Sequence, residues 1–156
     1  MDERLRQTVR ERADHRCEYC CLPQNAEPFF AYHVEHIVAR QHGGRDNSEN
    51  LALACYHCNA HKGPNLSGLD PESGALVRLF HPRQDPWDEH FERNGVLIVG
   101  RSTVGRATVG LLKMNADVFG EGGVAAWITA KLGRLVPRWA NERFLRQGAI
   151  RFVRKI

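Results

Sequence analysis

From Tyr32 to Gly63 the chain reads YHVEHIVARQHGGRDNSENLALACYHCNAHKG, which crowds thiol, imidazole, carboxylate and amide groups into one segment. Cys55-x-x-Cys58 lies inside it, and a second pair, Cys17-x-x-Cys20, lies just upstream in CEYCC. Four thiolates suit tetrahedral Zn²⁺, with Zn–S distances of about 2.3 Å. The two pairs are separated by 34 residues, so a zinc site here would close the ends of a long insertion and supply folding energy directly. Cys21 follows Cys20 at once and would need a different loop geometry, so Cys20 is the expected ligand and Cys21 a spare thiol. The competing reading is a set of buried or free cysteines in a reducing compartment.

A closed four-thiolate site has no open coordination position and does no chemistry. The groups inside the insertion could. On a strand, His33 and Glu35 point to one side and His36 to the other. His57 and His61 are four apart and share a face if the segment is helical, and Asn59 directly follows Cys58. Carboxylate, amide oxygen and imidazole can hold a second ion, while an adjacent histidine takes a proton from water. The plainer alternatives are a surface carboxylate at Glu35, a satisfied buried histidine at His36 and an ordinary hydrogen-bonding histidine at His33.

Taken together, Cys17/Cys20, Glu35-His36, Gly43-Gly44, Glu49-Asn50-Leu51, Cys55/Cys58 and Asn59 through Lys62-Gly63 resemble the HNH endonucleases, in the subgroup stapled by two C-x-x-C knuckles. The resemblance spans about residues 16–64, roughly a third of the chain. It implies a ββα-metal finger, two strands joined by a loop and followed by a helix. By position it implies His36 as the general base, Glu35 and Asn59 as ligands of a catalytic ion, and Asn50 as the residue that holds the loop. His61 is a further candidate ligand, which would make the site softer and tolerant of Ni²⁺ beside the expected Mg²⁺ or Mn²⁺. Lys62 would contact a phosphate or cap the helix. The implied reaction is hydrolysis of DNA phosphodiester bonds to 5′-phosphate and 3′-hydroxyl ends.

The elements that must position these groups can be read from pattern. A helix is expected over about Glu3–Ala13, a strand through Ala31–Val38, a loop at Gly43–Ser48, a short strand or helix approach at Asn50–Cys55, and a helix over Tyr56–Lys62 ended by Gly63-Pro64. Asn65–Gly74 reads as turns. Ala75–Phe80, Glu89–Arg93 and Val96–Arg101 read as three strands of one small sheet covered by Trp87, with Asn94-Gly95 as a hairpin turn. A helix begins near Thr103 with Val104, Ala107, Leu111 and Val118 on one face and Leu112 alongside. Further helices over 124–132 and 137–147 and a strand over 150–156 would complete an α+β chain. The expected organisation is a nuclease core over residues 1–66 and an α+β extension over 67–156, packed as one unit.

Charge bears on partners. Residues 1–62 hold 8 Lys/Arg against 9 Asp/Glu, whereas residues 63–156 hold 14 against 9. Arg138, Arg143, Arg146, Arg151, Arg154 and Lys155 are the expected phosphate contacts of this basic end, against the plainer reading of a solvated face. Double-stranded DNA is the expected partner. A homodimer is compatible with the sequence, which specifies none. The charged first residues are unlike a signal peptide, and no apolar run is long enough for a bilayer, so a cytoplasmic protein and no membrane partner are expected. Two alternatives to a DNA endonuclease stay open, a catalytically silent zinc module that binds nucleic acid or protein, and a nuclease acting on RNA.

Overall fold

The computed structural model describes residues 1–27 and 29–115, which all fall within one compact unit, Met1–Ala116. The extension through Asn115 therefore shares a body with the motif segment, with no division at Gly63–Leu69. The helices and strand expected beyond residue 123, the helical face position Val118 and the six basic residues from Arg138 to Lys155 lie outside the described residues.

The first helix, α1 (Glu3–Arg12), starts where the Asp2 carboxylate accepts from Leu5 N at 2.7 Å, with Glu3 in its first turn and Arg10 and Arg12 in its last. That charge order complements the helix dipole. Its buried Val9 faces the core, and Arg12 donates to the carbonyls of Ser48 (3.0 Å) and Leu51 (2.8 Å). Strand β1 (His33–His36) pairs antiparallel with β2 (Leu51–Ala54), placing His33 opposite Ala54 and His36 opposite Leu51. All four β2 residues are buried. The second edge of β2 is covered by the first cysteine knuckle, where Glu18 N donates to Leu53 O (2.8 Å) and Leu53 N donates to the Glu18 carboxylate (2.8 Å). A strand covered on both edges and both faces needs no polar alternation, which explains the ambiguity of LALA in the sequence.

Helix α2 (Tyr56–Lys62) follows directly and ends at Gly63, whose φ is +48°. It closes a ββα unit with the expected helix bounds, and the segment left open between short strand and helix approach is the strand β2. The extension differs from expectation. Ser67–Leu69 is a strand, β3, pairing with β4 (Leu76–Arg78) across the turn that Asp70 organises. Asp70 is fully buried because Arg106 grips both its oxygens (2.7 and 2.9 Å). A buried side chain thus makes the turn-rich composition compatible with a hairpin. After the short helix α3 (Trp87–His90), β5 (Phe91–Asn94) pairs, among the described residues, only with β6 (Leu97–Gly100). The expected single sheet is therefore two separate hairpins. Helix α4 (Thr103–Leu111), capped by Ser102 onto Gly105 N, packs against both.

The extension grips the cysteine knuckle. Trp87 Nε1 donates to Tyr19 O at 2.9 Å, and Arg93 donates to Cys20 O at 3.0 Å. Trp87 also packs on Phe91, and Phe91 meets Phe80 edge to face at 5.0 Å. Among the described residues no helix is long and apolar enough to cross a membrane.

The insertion between β1 and β2 is tightened at Gly44, where an added Cβ would fall 1.7 Å from Val38 O. Gly43, at φ +83°, has nothing within 4 Å of its open side. Gly44→Ala is expected to cost about 1–3 kcal/mol or more through overpacking. Gly43→Asn, which keeps a residue tolerant of left-handed backbone, stays within about 0.5 kcal/mol. Urea unfolding of the two variants checks the contrast.

Candidate active site and metal centre

Cys17, Cys20, Cys55 and Cys58 converge, with ligand atoms all within 4.8 Å of one another. Tetrahedral bonds of about 2.3 Å require sulfurs about 3.8 Å apart, and Cys20 Sγ lies 3.9 Å from Cys55 Sγ. No disulfide competes, since all five cysteines are free. The donor set therefore fits zinc. Cys21, at φ +59°, is turned out of the cluster. Hydrogen bonds from Cys17, Cys20 and Cys58 hold the Cys55 thiol far below its ordinary range. The same sharing, with Cys17 foremost, pushes Cys20 and Cys58 up. One thiolate is thus already favoured, and an entering cation displaces the remaining protons. Cys55 also caps α2, its sulfur accepting from Cys58 N at 3.4 Å.

Asn50 holds the loop. Its Oδ1 accepts from Val38 N (2.8 Å), and its Nδ2 donates to Val38 O (3.0 Å) and Arg45 O (3.1 Å). This folds the Gly-Gly loop back so that Asp46 meets His36, with Nε2 and Oδ1 2.7 Å apart. Arg40 grips both oxygens of the same carboxylate (2.9 and 2.7 Å). The Met1 amino group, His36 and Arg40 together hold the Asp46 carboxyl well below the usual carboxylate range. As an acceptor it fixes the His36 proton on Nε2 and leaves Nδ1 as the basic nitrogen. Asp46 was not singled out from sequence. The available signal was a carboxylate two residues after a Gly-Gly turn and ten after the histidine.

Glu35 is buried at 8% exposure, and both its oxygens are engaged. Tyr19 donates its hydroxyl to Oε1, and Lys62 Nζ donates to Oε2 at 3.0 Å. Lys62 Nζ also reaches the carbonyls of His36 (3.1 Å) and Gly63 (3.4 Å), and the residue is 1% exposed. The expected phosphate contact at Lys62 is therefore corrected, because its ammonium points inward and neutralises Glu35. Burial pushes the Glu35 carboxyl up, and Lys62 and Tyr19 pull it back only in part. Tyr19, the middle of the first knuckle, was also missed. A buried aromatic between two ligands carries no sequence signal of its hydroxyl's partner.

Helix geometry decides between the other ligand candidates. Residues two apart lie about 200° apart round the axis. Asn59 and His61 therefore leave the α2 axis on nearly opposite sides. Lys62 marks the flank of α2 that faces β1, and Asn59 lies about 60° from it. His57 marks the opposite flank, with Nε2 2.8 Å from Lys113 O at the end of α4. His61 stacks on that side, 4.3 Å from the His57 ring, with Nδ1 3.0 Å from His57 O. Burial lowers the His57 pKa, against the opposing pull of the Lys113 carbonyl. Glu35 and Asn59 carry the kind of oxygen donor that a hard divalent ion takes. Lys62 competes for Glu35. His33 is exposed at the far end of β1.

A ββα unit, a four-thiol cluster across its ends and an imidazole–carboxylate pair between the end of β1 and the loop thus fall in one segment. Residues 17–65 match the family model described as HNH endonuclease, a span under half of the 156-residue chain. The matched segment contains both C-x-x-C pairs, whose four cysteines converge. No curated protein and no solved structure gives a match.

Two outcomes follow. Desalted protein is expected to carry zinc, Cys55→Ser to lose it, and Cys21→Ser to keep it, as read by metal analysis. Lys62→Met strands the buried Glu35 carboxylate and is expected to destabilise the fold by about 3–5 kcal/mol. Without Lys62 the folded Glu35 pKa rises further above its unfolded value. The folded state then holds that proton more tightly, and the variant loses stability as pH rises above the ordinary glutamate range. Urea unfolding at about pH 5 and about pH 8 reads this slope, which is smaller in the wild type.

Proposed function

We propose that this protein is a metal-dependent endonuclease that hydrolyses DNA phosphodiester bonds to 5′-phosphate and 3′-hydroxyl ends. The observation that carries the reading is the His36–Asp46 pair, 2.7 Å apart, on the loop of the matched HNH segment. His36 acts as general base through Nδ1, taking a proton from the attacking water, while Asp46 holds the ring and favours the imidazolium that forms. Asn50 acts through the loop, fixing the Val38 and Arg45 backbone from which the base and its partner extend. Glu35 and Asn59 are the residues that would hold the catalytic ion, Mg²⁺ or Mn²⁺. When bound, such an ion supplies Lewis-acid stabilisation of charge on the phosphate and the leaving oxygen. The four cysteines would hold a structural zinc.

Arg138, Arg143, Arg146, Arg151, Arg154 and Lys155 supply the excess positive charge of the chain's second half, and the proposal assigns them non-specific phosphate contact with duplex DNA. One observation favours the silent zinc module instead. The Glu35 carboxylate is already neutralised by Lys62, so an ion must displace an ammonium to reach it.

Incubation of the protein with supercoiled plasmid and a panel of Mg²⁺, Mn²⁺, Ni²⁺ and Ca²⁺ separates the readings. Nicked or linear product with 5′-phosphate ends is expected. His36→Ala should lower the rate by about 10²–10⁴-fold, the usual worth of a general base, with zinc content and DNA affinity retained. Asp46→Asn should slow cleavage with zinc likewise retained. Full activity of His36→Ala with Mg²⁺ or Mn²⁺ would sink the assignment, and an intact plasmid with every ion would favour the silent module.

A further inference from the structure

At the end of β1 away from His36 the surface carries exposed aromatic rings. Phe30 and Tyr56 are 39% and 47% exposed and stack at 4.8 Å with an interplanar angle of 18°. The His33 ring lies 6.5 Å from Tyr56. Phe30 also forms one wall of a shallow cleft of about 640 Å³, lined besides by His15, Gln24, Asn25, Glu27 and Ala31. Exposed aromatic rings held parallel at a surface, instead of folded into the core, leave flat faces for a planar ligand.

The chemistry of the cleft narrows the ligand. Among the described residues no lysine or arginine lines it, and Glu27 does, which disfavours phosphate. Its polar groups are amides, a carboxylate and an imidazole, the groups that read the edge of a nucleobase. A cation for the backbone stands close by, since Arg10 reaches the carbonyl of Tyr32 at 3.4 Å. The location fits a substrate strand. His33 is three residues, about 10 Å of strand, from His36, and Tyr56 is the first residue of α2, three before Asn59.

We propose that the Phe30–Tyr56 stack and the adjoining cleft form a base-stacking site for an unpaired nucleotide of a nucleic-acid strand. Within a duplex both faces of a base are covered by its neighbours, so the site selects strands with unpaired bases. The inference rests on the nucleic-acid reading of the HNH segment and deepens it, since it names single-stranded or locally opened substrate as the preferred class.

The test is binding by the full chain without added divalent ion, so that it does not depend on cleavage. The probe is a single-stranded oligonucleotide carrying 2-aminopurine, compared with the same strand in a duplex. Wild-type protein is expected to quench the single-stranded probe. Phe30→Ala and Tyr56→Ala should each weaken single-strand binding about fivefold or more, the scale of one lost base stack. Duplex affinity should change less than about twofold, and Tyr56→Phe, which keeps the ring, should keep the quench. Absence of quenching, or equal losses on single strand and duplex with zinc content intact, would overturn the proposal. Failure of the nuclease reading would appear separately, as uncut plasmid with a quenched probe.

Discussion

The closure of the cysteine cluster is the constraint on which the rest depends. Cys17 and Cys20 come from a turn after α1, and Cys55 and Cys58 from the start of α2. Bringing the four sulfurs together fixes both ends of the insertion that holds β1, the loop and β2. The short β1–β2 hairpin could not secure that register by itself, because two four-residue strands are marginal in water. A bound zinc contributes on the order of 10 kcal/mol in small zinc-dependent folds, comparable with the whole stability of a domain. Cys55 does two things at once, offering a thiolate to the cluster and accepting the Cys58 N–H in the first turn of α2. The helix that carries Asn59 therefore begins at the metal site.

From that anchor a buried polar chain runs inward. Tyr19 hangs from the first knuckle and donates to Glu35, and Glu35 pairs with Lys62 at the far end of α2. Such a pair costs desolvation on both sides and contributes little net stability against an apolar substitute. Its effect is on geometry. It ties β1 to the first knuckle and to the far end of the helix α2, and Lys62 reaches the His36 carbonyl as well. The His36 backbone is fixed from the helix side and its ring from the loop side by Asp46. The extension completes the clamp by holding the knuckle carbonyls of Tyr19 and Cys20 through Trp87 and Arg93.

How much of this was legible in the sequence depends on whether a residue's partner is local. The cysteine pairs, the preference for Cys20 over Cys21 and the bounds of α2 follow from spacing and turn chemistry, whereas the ββα order is what the family resemblance implies. The family resemblance located Asn50 as the loop holder, and its three bonds to Val38 and Arg45 are of that kind. What the sequence hid were partners set by tertiary contact. Lys62 next to Gly63 reads as an exposed helix end, and only the facing Glu35 draws it inside. Asp46 reads as one polar loop residue among several until Asn50 folds the loop onto His36. The turn-rich stretch around Asp70 pairs as a hairpin because Arg106, far along the chain, neutralises the buried carboxylate.

The helical phase of α2 bears most directly on chemistry. Cys58 and Lys62 are one turn apart and share the buried face, Asn59 falls on the β1 flank, and His57 and His61 fall on the flank facing α4. A seven-residue helix offers no freedom to rotate one flank without the other, and its first turn is fixed by two cluster cysteines. Any movement of the cluster is thus transmitted as a rotation that carries Asn59 and Lys62 together relative to Glu35. The Lys62 ammonium occupies Glu35 in the phase that Cys55 and Cys58 set. Structural thiols and candidate catalytic oxygens are coupled through the backbone of a single helical turn.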